Sequence, residues 1–274
     1  MGIVYACITP HGGEILPEIG GDLPTILELR ASMEEIGRRM KEHRPEVIVL
    51  ATPHGLRLEG YNAVVTAEYS SGSLKGPHGT VEVSFHCDRA LAREIVARTR
   101  AAGIPVVGCN YGALEGPGSN VAMDWGAIVP LYYFGARDDA RPELVLVGPT
   151  RDIPLSQLVE FGSVIARAAE ETGKRVAFVA SADQAHAHAA EGPYGFDPAA
   201  AAYDRLIVDI VKEDKLEKLL DLDPKLVEAA KPDSLWQMLI LCGVGRVVPL
   251  KGQFLAYACP SYFGMLTASY EPIR

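Results

Sequence analysis

The part of this sequence best suited to chemistry is a four-residue motif that occurs twice. Residues 9–12 and residues 52–55 both read Thr-Pro-His-Gly, and each copy follows a run of aliphatic residues. Neutral imidazole binds iron, zinc and copper well. Two histidines in the same sequence context, His11 and His54, therefore indicate a metal-binding site if the fold brings them together.

The residues before each motif predict where the histidines emerge. Residues 3–8 and 47–51 are continuous apolar runs, typical of buried strands, and each strand should end at the proline, which has no N–H to donate. In open α/β sheets, ligands bind beyond the carboxyl ends of the strands. We therefore expect both imidazoles at one edge of one sheet. The residues alone leave a second interpretation open, in which two unrelated loop histidines bond to backbone carbonyls.

Two further histidines follow another predicted core strand at residues 175–180. We expect at least one of His186 and His188 at the same sheet edge. If this segment is extended, the two side chains are expected to point in opposite directions, so only one of them is expected to take part in the site. The remaining histidines are interpreted as solvated, turn or packing residues: His43, His78 and His86.

Strand and helix patterns alternate along the chain. Strands rich in Val, Ile and Ala alternate with helical patterns such as residues 25–42 and 155–172, which is typical of a sheet covered by helices on both faces. We predict an α/β fold with one catalytic domain over residues 1–274. Its central sheet should be mostly parallel or mixed, with the site at the carboxyl ends of the strands. The Gly- and Ser-rich stretch 70–79 is interpreted either as a loop over the site or as a hairpin excursion.

Composition and charge exclude some classes of function. The net charge of the 274 residues is −9, and no basic stripe is present, so we expect neither nucleic-acid binding nor docking on an anionic membrane. No apolar run approaches the roughly 20 residues of a membrane helix, and the N-terminus lacks the features of a signal peptide. Five scattered cysteines predict reduced thiols and a cytoplasmic location.

Five short motifs and a late acidic residue before Trp236 occur in a specific order and spacing over most of the chain. The motifs are residues 10–13 (PHGG), 53–55 (PHG), 124–131 (DWGAIVPL), 179–186 (VASADQAH) and 192–197 (GPYGFD). In this order they resemble the class III extradiol ring-cleavage dioxygenases, in particular the catalytic B subunit typified by protocatechuate 4,5-dioxygenase.

The resemblance implies a non-haem Fe(II) cofactor bound by two histidines and one carboxylate. Carried over, His11 and His54 are the imidazole ligands, and Asp233 is the carboxylate, with Glu228 as the alternative. The family usually has a glutamate a few residues before a tryptophan, whereas here an aspartate lies three residues before Trp236. The shorter side chain requires the helix to lie closer to the metal.

The resemblance also implies an acid/base residue and a substrate pocket. His186 resembles the histidine that takes and returns a proton, a role that suits an imidazole pKa of about 6.5. Many relatives read Asp-His-Gly where this chain reads Asp124-Trp125-Gly126. Trp125 therefore stands in place of a histidine that can carry a proton, and it adds an apolar wall to the pocket. Asp124 is interpreted as a catalytic residue that orients a neighbour or as a helix N-cap. Tyr194 is predicted to contact the substrate.

Three functions remain open from the sequence. The first is Fe(II)-dependent cleavage of the ring of a catechol-type or 2-aminophenol-type substrate with O2. The second, favoured by the altered carboxylate and by Trp125, is a non-catalytic metal-binding or adaptor protein on the same fold. The third is a zinc-dependent hydrolase. Arg57 and Arg151 are candidate clamps for a substrate carboxylate, and the chain is expected to form a homodimer or to bind a small A-type subunit.

Overall fold

The computed structural model describes residues 1–138 and 141–273. Its strands are β1 Gly2–Thr9, β2 Val47–Ala51, β3 Asn62–Val65, β4 Tyr69–Gly76, β5 Gly79–His86, β6 Val106–Cys109, β7 Asn120–Ala122, β8 Glu143–Gly148, β9 Arg175–Ser181, β10 Leu250–Ala258 and β11 Met265–Pro272. Its α-helices are α1 Pro17–Gly20, α2 Leu27–His43, α3 Arg89–Ala101, α4 Trp125–Tyr133, α5 Leu155–Thr172, α6 Pro198–Lys212, α7 Pro224–Ala230 and α8 Leu235–Val247.

Eight of these strands form one mixed sheet in the order β10-β11-β1-β9-β2-β8-β3-β6. The four central strands β1, β9, β2 and β8 are parallel to one another. On one side β11 pairs antiparallel with β1, and on the other β3 pairs antiparallel with β8. A second sheet has the order β5-β4-β7. The predicted α/β class with a mostly parallel or mixed sheet is confirmed.

Both faces of the large sheet are covered, because successive strand residues point to opposite sides. In β2, Val47, Val49 and Ala51 pack into a buried apolar cluster with α3, α5, α6 and α8. The alternate residues Ile48 and Leu50 pack with α2, α4 and the small sheet. An uninterrupted aliphatic strand is therefore required at this position, as the sequence indicates. In the described part of the chain, no helix combines the length and the apolar character needed to cross a bilayer.

Helices α5 and α8 pack backbone to backbone through two glycines. A Cβ atom on Gly162 would lie 1.9 Å from the Ile240 carbonyl oxygen, and one on Gly243 would lie 1.8 Å from the Val159 carbonyl oxygen. Both distances are far shorter than a van der Waals contact, so only glycine fits. This close contact fixes the position of α8, whose amino end follows Asp233.

The Gly- and Ser-rich stretch 70–79 is a β-hairpin, and its interpretation as a loop over the site is wrong. Residues of β4 pair with β5 from Tyr69 to Gly76. Glycine is needed here for close packing rather than for a loop: a Cβ on Gly72 would lie 2.8 Å from the Met123 carbonyl oxygen, and one on Gly76 would lie 2.6 Å from Ile19 Cα.

Candidate metal centre

The two histidine motifs meet at the carboxyl edge of the parallel strands. His11 follows β1 and His54 follows β2, and their Nε2 atoms lie 3.2 Å apart. The rings are nearly perpendicular, at 85°, with 4.9 Å between their centroids. The side chain of His11 is 1% exposed and that of His54 is 17% exposed. The structure thus brings the two predicted ligands together, and their binding of a metal stays a prediction.

Asp233 is the carboxylate beside the two imidazoles. It lies in the turn between α7 and α8, and its Oδ2 atom is 3.5 Å from His54 Nε2. The potential ligand atoms of His11, His54 and Asp233 all lie within 4.8 Å of one another. The backbone N–H of Asp233 donates to the Asp183 carbonyl oxygen at 3.2 Å, and its own carbonyl oxygen accepts from Gln237 Nε2 at 2.9 Å. The short aspartate reaches the site because these bonds hold the turn close.

A hydrogen-bond chain fixes the tautomer of His11. The Ser181 hydroxyl donates to the Gly126 carbonyl oxygen at 2.5 Å. Ser181 Oγ is therefore the acceptor in its 2.9 Å contact with His11 Nδ1, which must carry the ring hydrogen. The Nε2 lone pair of His11 then faces His54 Nε2 and Asp183 Oδ2, each 3.2 Å away. Nitrogen and carboxylate lone pairs directed at one region suit a cation, so this donor set fits a divalent metal.

Burial keeps the two imidazoles in the form that binds metals. The pKa of His11 lies well below its ordinary value, chiefly because burial disfavours the charged ring, and the neighbouring His54 and His186 lower it further. Burial likewise lowers the pKa of His54, against the opposing effect of Asp233. Because a metal ligand must be deprotonated, both rings are ready to bind at neutral pH without first losing a proton.

Asp183 is a site residue that our sequence-based prediction missed. Its buried carboxylate accepts the backbone N–H of His11 through Oδ1 at 2.9 Å, and Oδ2 lies 3.2 Å from His11 Nε2. Burial raises the pKa of Asp183 well above the ordinary aspartate value. Within residues 1–138 and 141–273, no lysine or arginine lies within 4.0 Å of it. The available signal was its place inside VASADQAH, directly after a core strand.

His186 lies beside these potential metal ligands. Its Nε2 atom is 3.6 Å from Asp233 Oδ2, and its ring stacks on Phe263 with 5.3 Å between centroids. Its Nδ1 atom is 2.9 Å from the Gln184 carbonyl oxygen, which can only accept, so Nδ1 carries the hydrogen. The Nε2 atom of the neutral ring is therefore free to take a proton. Burial lowers the pKa of His186 from its ordinary value of 6.5.

His188 points away from the site, as the alternation predicts. Its Nε2 atom lies 2.8 Å from Asp204 Oδ2, which also accepts the Tyr257 hydroxyl at 2.6 Å. The other oxygen of Asp204 accepts the backbone N–H of Ala185 at 2.9 Å. Asp204 thereby anchors the loop that presents His186.

The amino end of α4 contacts the second histidine motif. Asp124 is the N-cap of α4, and its Oδ1 accepts the backbone N–H of Ala127 at 3.2 Å. The same oxygen accepts the Thr52 hydroxyl at 2.9 Å, while Thr52 Oγ1 accepts the backbone N–H of His54 at 3.3 Å. Burial raises the pKa of Asp124. These contacts cap a helix and hold the His54 loop, and a catalytic role of Asp124 stays a prediction.

Two partly exposed aromatic rings flank the histidines. The Trp125 ring lies 4.2 Å from the His54 ring, and the Tyr194 ring lies 5.6 Å from the His186 ring. About half of each aromatic side chain is exposed, 48% and 55% respectively. Both rings are placed where a bound aromatic molecule can reach them, and their contact with a substrate stays a prediction.

The remaining candidates differ in their distance from the site. The Nη2 atom of Arg151 donates to Asp233 Oδ1, and its guanidinium lies 4.0 Å above the centroid of the Trp236 ring. Arg57 is exposed. Glu228, the alternative carboxylate, lies in α7 and lines a surface groove, and among the described residues it is not one of the three potential metal ligands.

Comparison with known proteins identifies a family to which this chain belongs and a solved structure that shares its fold. The family model described as the catalytic LigB subunit of aromatic ring-opening dioxygenase matches residues 5–263. The Clostridium acetobutylicum protein named Protein CA_C1420 is 27% identical over 255 residues, which cover 91% of this chain and 53% of that protein. The chain therefore spans about half the length of that curated relative.

A solved structure also shares the fold. The crystal structure of uncharacterized protein JW3007 from Escherichia coli K12 superposes with a TM-score of 0.59. The match covers 97% of this chain and 99% of that one at 19% sequence identity. At this identity the likeness concerns the arrangement of strands and helices alone.

Proposed function

The chain belongs to the family of catalytic LigB subunits of aromatic ring-opening dioxygenases, and on that premise we propose that it is an Fe(II)-dependent extradiol dioxygenase of catechol-type or 2-aminophenol-type substrates. The observation that carries the proposal is the donor set of His11, His54 and Asp233, whose ligand atoms lie within 4.8 Å of one another. Two imidazoles and one carboxylate on one face of the metal, with the other positions open, are the ligands of many non-haem Fe(II) oxygenases.

The protein's contribution is the arrangement of these ligands. A ferrous ion held by His11, His54 and Asp233 would supply the site where substrate and O2 meet, and would lower the pKa of a phenol bound to it. The hydrogen bond to Ser181 leaves the Nε2 lone pair of His11 free to bind such an ion, and Thr52 holds the loop of His54. Neutral rings at both positions allow metal binding without competition from protons at neutral pH.

His186 is the proposed acid and base. Its Nδ1–H is bonded to the carbonyl oxygen of Gln184, so Nε2 is the atom that can accept a phenolic proton. The lowered pKa keeps this atom unprotonated at neutral pH. After protonation the same atom can return the proton in a later step, which is the behaviour required of a general acid/base residue.

The two aromatic rings are the proposed walls of the substrate site. Trp125 lies against His54 and Tyr194 against His186, so an aromatic ring bound through its oxygens would lie between them. Asp124 is proposed to act by holding Thr52 in place. A cytoplasmic location stays a proposal from the scattered cysteines of the sequence. The single catalytic domain stays a proposal from the sequence pattern, and a homodimer or a small A-type partner stays a proposal from the resemblance.

The test is reconstitution with Fe(II) under anaerobic conditions, followed by a screen of catechols and 2-aminophenols in an oxygen electrode. We expect stoichiometric iron, one O2 consumed per substrate, and a yellow ring-opened product. Iron binding without O2 consumption across the screen would favour a non-catalytic metal-binding protein. Hydrolysis of an ester or amide by the zinc-loaded protein, with unchanged O2, would favour the zinc-dependent hydrolase.

A further inference from the structure

Arg151 lies next to the proposed metal site and is itself outside the group of potential ligands. It lies in the connection between β8 and α5, at the sheet edge that carries the site. One side of its guanidinium pairs with Asp233 Oδ1, and its face covers the Trp236 ring at 4.0 Å. The side chain is 31% exposed. An ion pair and a stacking contact together restrict a planar guanidinium to one position.

The two oxygens of the Asp233 carboxylate therefore have different surroundings. Oδ1 accepts from Arg151, whereas Oδ2 faces His54 Nε2 at 3.5 Å and His186 Nε2 at 3.6 Å. A carboxylate can bind a cation through one oxygen or through both. The terminal torsion of an aspartate is broad, so without a partner its two oxygens exchange easily. The contact with Arg151 fixes which oxygen is turned toward the histidines.

We infer that Arg151 is a positioning residue that limits Asp233 to one bond with the metal, through Oδ2. The inference rests on the proposed function. Three one-atom ligands, from His11, His54 and Asp233, leave three positions of an octahedral ion open. A substrate that binds through two oxygens and O2 together need all three. A carboxylate bound through both oxygens would take a fourth position and leave too few.

The positive charge of Arg151 distinguishes a residue that positions the Asp233 carboxylate from one that strengthens metal binding. A guanidinium beside a metal-binding carboxylate repels the cation, so its removal should not release the metal. Its loss should instead free Oδ1, which can then bind the ion as well. We therefore expect the arginine to control how many positions remain open, with metal binding largely retained in its absence.

The experiment uses nitric oxide as a stand-in for O2 on the Fe(II)-loaded protein, with catechol present and air excluded. The variants are Arg151→Met and Arg151→Lys, and the matched control is Arg100→Met, at an exposed arginine near the carboxyl end of α3. The amount of ternary complex is measured from the S = 3/2 electron paramagnetic resonance signal of the iron–nitric oxide adduct, and the iron content is measured in parallel.

We expect the wild type and Arg100→Met to form the ternary complex fully. Arg151→Met should retain iron and bind nitric oxide alone, yet show at least tenfold less signal once catechol is present, and Arg151→Lys should recover part of it. An undiminished Arg151→Met signal with catechol would overturn the inference and leave the proposed function intact. Loss of iron from Arg151→Met would also overturn it, because the arginine would then sustain metal affinity.

Two controls complete the design. Circular dichroism and thermal unfolding establish that the Met variant folds, and Arg151→Gln replaces it in the same comparison if it does not. A wild-type protein that binds no Fe(II), or binds Fe(II) and no catechol, would contradict the proposed function itself. That result is distinct from any difference between the wild type and the arginine variants.

Discussion

The Nε2 atoms of His11 and His54 lie 3.2 Å apart although 43 residues separate them in the chain. The topology explains this, because β1 and β2 lie on opposite sides of β9 and both run parallel to it. Near their carboxyl ends the strands are in register: Thr9 pairs with Ser181, and Ala51 pairs with Ala180. The same short motif after each strand therefore delivers two imidazoles to one place.

Replacement of His54 tests whether that place binds a metal. His54→Ala should reduce the metal content from about one ion per chain to near zero after Fe(II) or Zn(II) loading, because two one-atom ligands bind far more weakly than three. Elemental analysis measures this. His86→Ala is the matched control, since His86 is an exposed histidine paired with Glu143. Full occupancy in His54→Ala would rule out its role as a ligand.

Replacement of His186 separates proton transfer from metal binding. His186→Ala should keep its metal and lose turnover by roughly 10²–10⁴-fold, the range of general acid/base catalysis. Burial lowers the pKa of this ring from 6.5, so the unprotonated base persists below that pH. The acidic limb of kcat/KM should therefore lie below pH 6.5 in the wild type. Normal turnover in His186→Ala would show that another group moves the proton.

The convergence of the histidines could be predicted from the sequence because it depends on local pattern and on a general rule of parallel sheets. The aliphatic runs fixed the strands, and proline fixed their ends. The roles of Ser181 and Asp183 could not be predicted in the same way. They depend on which side chain each residue meets across strands, and thus on register and tautomer, which no local periodicity encodes.

The hairpin at residues 70–79 is a second feature that the sequence alone could not assign. Glycine and serine are frequent in loops, so the composition left a loop over the site and a plain hairpin equally open. Here Gly72 and Gly76 are needed because Met123 and Ile19 approach their backbone closely. Only the packed structure distinguishes a glycine that permits a turn from one that permits a close contact.

Ser181 offers a test of the tautomer. Ser181→Ala removes the acceptor of the His11 Nδ1 hydrogen, so the ring can rotate or carry its hydrogen on Nε2 instead. We expect about 10–100-fold weaker metal binding, as found for partners of metal-binding side chains in general. Titration with Zn(II) against a competing chelator measures it. Ser163→Ala is the control, since Ser163 is also buried and bonds to backbone carbonyls within the α5–α8 contact. Equal affinities in both variants would contradict the tautomer assignment.

Asp124 can be assigned by two substitutions. Asp124→Ala should lower the free energy of unfolding by about 1 kcal/mol, the usual cost of losing an N-cap. Asp124→Asn keeps a capping side chain and should unfold like the wild type in chemical denaturation. In a capping role, Asp124→Asn also keeps near-normal turnover. A loss of more than about 100-fold in a stable, metal-loaded Asp124→Asn protein would instead assign the carboxylate to catalysis.

The contact between α5 and α8 predicts opposite effects at two neighbouring glycines. Gly243→Ala would place a Cβ atom 1.8 Å from the Val159 carbonyl oxygen, so the helices must separate. The free energy of unfolding should fall by about 1–3 kcal/mol or more, because overpacking usually costs this much. Gly245 lies in the same helix with nothing within 4 Å of such an atom, and Gly245→Ala should stabilise by up to about 1 kcal/mol.

The same pair of variants also reports on the site, because α8 begins directly after the turn that carries Asp233. A displaced α8 should pull the Asp233 carboxylate away from His54, so Zn(II) affinity should fall in Gly243→Ala and stay unchanged in Gly245→Ala. Wild-type affinity in a destabilised Gly243→Ala protein would mean that the bonds of Asp233 to Asp183 and Gln237 suffice to hold the carboxylate in place. The position of the Asp233 carboxylate would then depend on the turn itself and not on α8.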